Sequence, residues 1–116
     1  MSEVHIYHNP RCSKSRQTLA LLEEQGIQPS IIEYLKEPLT AADISDLLRK
    51  LGFVSARELI RSKEDAYKEL NLKDVDDEAQ LINAMVEHPK LIERPIVVKG
   101  DQARLGRPPE AVLEIL

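Results

Sequence analysis

Two short apolar segments rich in β-formers flank one helical segment near the start of the chain, and that spacing limits the folds available. Val4-His5-Ile6-Tyr7 reads as a strand within residues 3–8. Thr18-Leu19-Ala20-Leu21-Leu22-Glu23-Glu24 reads as a helix over residues 13–25, stopped by Gly26. Ile31-Ile32-Glu33-Tyr34-Leu35 reads as a second strand. A strand, a helix and a strand in so short a stretch form a βαβ unit. Its strands should therefore be parallel, with a right-handed crossover.

The far end of the chain supplies the complement. Pro95-Ile96-Val97-Val98-Lys99 reads as a strand, Gly100-Asp101 as a hairpin turn, and Gln102 to Leu105 as the returning strand. Pro108-Pro109-Glu110 opens a last helix, with Val112, Leu113, Ile115 and Leu116 turned inward. The segment between the halves, about 40–90, is helical in pattern. Thr40-Ala41-Ala42-Asp43 resembles a capping box, with Asp in the place of Glu or Gln, and Ser55-Ala56-Arg57-Glu58 is a closer match. The first opens a helix that ends at Gly52 and the second a short helix ending near Ile60-Arg61. Residues 64–70 form another helical piece, and the acidic run from Asp74 to Glu78 caps a longer helix that stops at His88-Pro89. The expectation is one domain over residues 1–116, an α/β fold with a mixed four-stranded sheet (βαβ plus ββα) and a helical insertion.

With 116 residues the chain can bury one core. It has one Phe, three Tyr and no Trp, so Leu, Ile, Val and Ala must build that core. The net charge of −4 argues against bulk nucleic-acid binding. No apolar run reaches the roughly 18 residues of a membrane span. The first residues lack the pattern of a secretory signal, and one cysteine suits a reducing compartment. A cytoplasmic protein is expected.

That cysteine, Cys12, lies in Tyr7-His8-Asn9-Pro10-Arg11-Cys12-Ser13-Lys14-Ser15-Arg16, where a strand end turns into a helix start. Asn9-Pro10 marks the turn, because a residue before proline is pushed out of the helical region. Unpaired N–H groups and a positive dipole end face such a position, and Arg11, Lys14 and Arg16 add charge nearby. Each favours thiolate over thiol, and the same features hold an oxyanion. A lone cysteine is most often a small buried hydrophobe. That role would call for apolar neighbours, and Cys12 has Arg11, Ser13 and Lys14 instead. With no second cysteine, any disulfide formed in redox chemistry must be resolved by an outside thiol. His5 and His8 fall on opposite faces of a regular strand, which disfavours a metal site.

The βαβ and ββα halves resemble the thioredoxin arrangement, with Cys12-Ser13-Lys14-Ser15 at the place of its C-x-x-C or C-x-x-S motif and Arg94-Pro95 at its cis-proline site. His8-Asn9-Pro10-x-Cys12-x-x-Ser15-Arg16, Glu93-Arg94-Pro95-Ile96-Val97-Val98 and Arg104-Leu105-Gly106-Arg107-Pro108 together resemble the glutaredoxin-linked arsenate reductase family, over nearly the whole chain. The resemblance implies Cys12 as nucleophile and His8 as a residue that helps keep its thiolate. It implies Arg94, Arg107 and Arg61 as the oxyanion pocket, with Arg57 as the alternative to Arg61, and Ser15, Arg16 and Pro95 in support. It also implies arsenate or a related oxyanion as substrate, glutathione as co-substrate, glutaredoxin as partner, and no bound cofactor or metal.

One departure stands out: family members of known activity tend to carry small, neutral residues between the Cys and the Ser, where this chain has Ser13 and Lys14. Two other functions fit parts of the pattern. One is an Spx-like regulatory binding module, although Ser15 replaces the second cysteine of that switch. The other is a monothiol, glutathione-linked redox enzyme with no arsenate role.

Overall fold

A computed structural model describes residues 3–37 and 39–116. Four strands form one sheet: β1 (Val4–Tyr7), β2 (Ser30–Ile32), β3 (Ile96–Lys99) and β4 (Gln102–Leu105), in the order β2-β1-β3-β4. β1 and β2 are parallel, while β1–β3 and β3–β4 are antiparallel. The helix between β1 and β2, α1 (Ser13–Glu24), makes the crossover. This is the expected mixed sheet.

Residue type explains the order. β3 carries Ile96-Val97-Val98, all buried, as a strand between two neighbours should be. Its hairpin to β4 turns at Gly100, whose φ of 61° lies in the left-handed region that glycine tolerates best. Ile6, Leu22, Val97, Val112 and Ile115 form the core under this sheet, with Val4, Leu19, Leu21, Ile27 and Leu116 packed against them. Burial of such side chains contributes about 25 cal/mol per Å² of apolar surface.

The chain divides into two compact units, Met1–Glu37 with Arg94–Leu116, and Pro38–Glu93. The second holds the helices of the expected insertion: α2 (Ala41–Leu51), α3 (Asp65–Glu69) and α4 (Glu78–Glu87). α2 opens on a complete capping box. Thr40 Oγ1 accepts from the Asp43 N–H at 3.1 Å, and the Thr40 N–H donates to Asp43 Oδ2 at 3.0 Å. The residues 56–59 form a 3₁₀ turn, also boxed, by Ser55 and Glu58. Buried Ile44, Leu47, Leu81, Met85, Leu59 and Leu91 fill this unit.

Three elements differ from expectation. β2 spans Ser30–Ile32 rather than 31–35. Among the described residues it pairs only with β1, whose partner for Ile32 is Tyr7, and the ladder closes with the His8 N–H on the Ile32 carbonyl at 2.8 Å. Beyond that β1 has ended, and the backbone turns at Glu33. α4 begins at Glu78 with Asp77 as its cap, while the earlier part of the acidic run lies in a 3₁₀ turn, Leu72–Asp74, and the link after it. The last helix is 3₁₀, over Pro109–Ile115.

Candidate active site

The loop from β1 into α1 builds the sulfur's surroundings from its own backbone. Pro10 follows Asn9, and the chain turns tightly enough for the Cys12 N–H to reach the Asn9 carbonyl at 3.0 Å. The Asn9 side chain holds the same turn by accepting the Arg11 N–H at 3.0 Å. Cys12 is then the N-cap of α1, in extended conformation, and its carbonyl takes the first helical bond, from Arg16. The N–H groups of the next turn remain for the sulfur.

The thiol is pulled in two directions. Burial pushes its pKa up, and this is the largest single influence. The Ser15 N–H, the Arg94 guanidinium (by hydrogen bond and by charge) and the Lys14 N–H together outweigh it. Cys12 therefore ionises below the ordinary cysteine value. Arg107 stands on the same sulfur, with Nη2 at 3.9 Å from Sγ. Its Nε donates to the Arg94 carbonyl at 2.8 Å, so the two arginines are tied to each other. Each precedes a cis proline, at Arg94–Pro95 and Arg107–Pro108. The cation that lowers the pKa of the thiol is thus Arg94, from the far side of the sequence. Arg11, Lys14 and Arg16, whose charge was expected to act, have exposed side chains.

His8 reaches the site through Ser15. Its Nδ1 and Ser15 Oγ share a hydrogen bond of 2.6 Å, and that oxygen also accepts the Asn9 N–H at 3.0 Å. Ser15 is fully buried and His8 nearly so. Burial holds the His8 pKa below the ordinary histidine value, against an upward pull from Glu33. The imidazole is therefore neutral at neutral pH. Ser15 fixes the strand end to the helix start with its side chain, while its backbone N–H acts on Cys12.

A sulfur at a helix start with a lowered pKa and two arginines joined beside it is an arrangement that can serve a nucleophile and can hold an oxyanion. The sequence matches the ArsC family over residues 7–115. The chain belongs to the ArsC family. It is 62% identical over 115 residues to the uncharacterized protein YfgD of Escherichia coli (strain K12), covering 98% of this chain and 97% of that one. It is 54% identical over 114 residues to the arsenate reductase of Haemophilus influenzae, covering 97% and 98%. The solved arsenate reductase of Vibrio cholerae superposes with a TM-score of 0.96 at 57% identity, covering 99% of this chain and 98% of that one. The thioredoxin-like fold of the ArsC family is therefore the fold of this chain.

Cys12, His8, Ser15, Arg94, Pro95 and Arg107 all fall in one unit, and the contacts above join them around the sulfur. Arg16 lies in the first turn of α1 with its side chain in solvent. Arg61 belongs to the other unit. There its backbone N–H bonds the Leu91 carbonyl at 2.7 Å, and its guanidinium meets Glu64 at 2.9 Å and Glu93 at 3.8 Å. Arg57 is committed elsewhere, to the Tyr67 hydroxyl and the Leu72 carbonyl at 3.0 Å each, and to the Val75 carbonyl. Among the described residues, no group of three or more His, Cys, Asp or Glu is placed to hold a metal.

Two participants escaped the sequence. Asn9 reads as a turn former and no more, yet both its side chain and its N–H hold the cysteine loop. Thr18 looks like an ordinary helical residue. It is fully buried, and its hydroxyl donates to the Lys14 carbonyl at 2.8 Å, bracing the turn that presents the N–H groups. A polar residue on the buried face of an amphipathic helix was the available signal.

Proposed function

We propose that this protein is an oxidoreductase that reduces arsenate to arsenite, with Cys12 as nucleophile and glutathione and glutaredoxin as the thiol route. The observation that carries this reading is the Cys12 sulfur, held below the ordinary thiol pKa with Arg94 and Arg107 beside it, in a member of the ArsC family.

Arsenate is a tetrahedral oxyanion, and guanidinium groups bind its oxygens with paired, planar hydrogen bonds. Arg94, Arg107 and the N–H groups of Lys14 and Ser15 take those oxygens and hold arsenic against the sulfur. Attack by the Cys12 thiolate forms an S–As bond, and one arsenate oxygen leaves as water after taking up protons. Glutathione then attacks the Cys12 sulfur. A sulfur–sulfur bond forms, the S–As bond breaks, and its electron pair stays on arsenic, so As(V) leaves as As(III). The dithiol of glutaredoxin takes glutathione from the mixed disulfide and returns Cys12 to the thiolate. An outside thiol is required because the chain has one cysteine.

Omitting glutaredoxin tests the scheme. With arsenate and glutathione alone, Cys12 should accumulate as its glutathione mixed disulfide, seen as a mass increase of one glutathionyl group. The increase should need arsenate and vanish in Cys12→Ser. Equal modification with and without arsenate would instead favour a monothiol redox enzyme.

A further inference from the structure

Gly106 is buried at the end of β4, and no positive φ requires a glycine there. What requires it is space. A Cβ at position 106 would lie 2.6 Å from Pro95 Cγ and 3.2 Å from Pro95 Cδ, and would run into the Thr18 hydroxyl. Neither neighbour can give way freely. Pro95 is a closed ring, and Thr18 Oγ1 is bonded to the Lys14 carbonyl.

The three segments that meet at this point each carry part of the site. Thr18 braces the α1 turn that contains the Lys14 and Ser15 N–H groups. Pro95 follows Arg94, and its carbonyl takes the Gly106 N–H at 2.9 Å. Gly106 precedes Arg107, which returns to the Arg94 carbonyl and to the Cys12 sulfur. The contact at Gly106 is therefore the joint between the helix that presents the thiol and the two corners that present the cations.

We propose that Gly106 is a positioning residue: its missing side chain lets α1, the Arg94–Pro95 corner and the end of β4 close on one another, and this approach sets where both guanidinium groups stand at Cys12. A methyl group here must move at least one of the three. A shift of a few tenths of an ångström at the joint is passed on to Arg107, one residue away, and to Arg94 through the 2.8 Å bond between them. The oxyanion part of this proposal rests on the arsenate reading above; the thiol part does not.

The test uses Gly106→Ala, Thr18→Ala and the double variant, with Val112→Ala as a control for core loss away from the joint. Cys12 is titrated by its rate of alkylation with iodoacetamide against pH, and arsenate kcat/KM is measured in parallel. In Gly106→Ala the Cys12 pKa should rise by about one pH unit, and arsenate kcat/KM should fall about tenfold, chiefly through KM. The double variant removes the hydroxyl that the new methyl meets but leaves Pro95. Because Pro95 still meets the new methyl, the Cys12 pKa of the double variant should stay above that of Thr18→Ala alone. Val112→Ala should lower the melting temperature and leave the Cys12 titration in place. Should Gly106→Ala not fold, the comparison of the double variant with Thr18→Ala carries the test. A folded Gly106 variant whose Cys12 titrates like its Gly106 parent would overturn the proposal. A raised Cys12 pKa in a protein that never turns over arsenate would keep Gly106 as a thiol-positioning residue and discard the arsenate reading.

Discussion

A thiol at a helix cap is partly sheltered, and shelter alone would make it a poor nucleophile. At Cys12, Arg94 and two backbone N–H groups reverse that outcome. Arg94→Ala should therefore move the midpoint of Cys12 alkylation upward by roughly one pH unit or more; an unchanged midpoint would mean the N–H groups suffice. The folded-state pKa lies below the unfolded one, so Cys12 adds stability above the ordinary thiol value, and that stability is lost as pH falls through the folded pKa. His8 is also depressed, by burial. Its contribution is present above the ordinary histidine value and is lost as pH falls toward the folded pKa, because only the unfolded chain takes the proton in that interval. Urea melts across this range should show the loss in wild type and a smaller one in His8→Gln. Ser15→Ala would leave two buried groups, the His8 ring nitrogen and the Asn9 N–H, short of a partner. A cost of about 1–3 kcal/mol is expected, together with a higher Cys12 pKa as the loop loosens.

At the scale of elements, local chemistry wrote some features plainly into the sequence and left others out. The Thr40–Asp43 box is readable because both its bonds lie within four residues. Thr40→Ala should cost about 1 kcal/mol in a denaturant melt and Thr40→Ser much less. The cysteine at a strand-to-helix turn was legible for the same reason. The length of β2 was not: Glu33-Tyr34-Leu35 has strand propensity, but no strand remains beside it after Tyr7, and Tyr34 is buried in a turn instead. Partner supply overrides propensity there. The roles of Arg57 and Thr18 were hidden too. A guanidinium's partners at Tyr67, Leu72 and Val75 are fixed by tertiary packing, as is the burial of the Thr18 hydroxyl.

At the scale of the whole molecule, the topology does what the sequence order cannot. β3 lies next to β1, so residues 94–95, at the head of β3, come beside the loop that ends in Cys12. The β3–β4 hairpin then returns the chain to the same edge and delivers Arg107. The ends of three strands and the start of one helix thus bring two cations to one sulfur in a protein whose net charge is −4. The motifs pointed to this meeting only through family resemblance; composition and spacing place the arginines on separate segments and go no further. The most direct measurement is NADPH-coupled arsenate reduction with glutathione, glutathione reductase and glutaredoxin, in wild type and Cys12→Ser. The predicted result is turnover that needs arsenate, glutaredoxin and Cys12 together. Absence of turnover from folded wild type whose Cys12 still alkylates at low pH would contradict the arsenate assignment, and full activity in Cys12→Ser would contradict the account of the site itself.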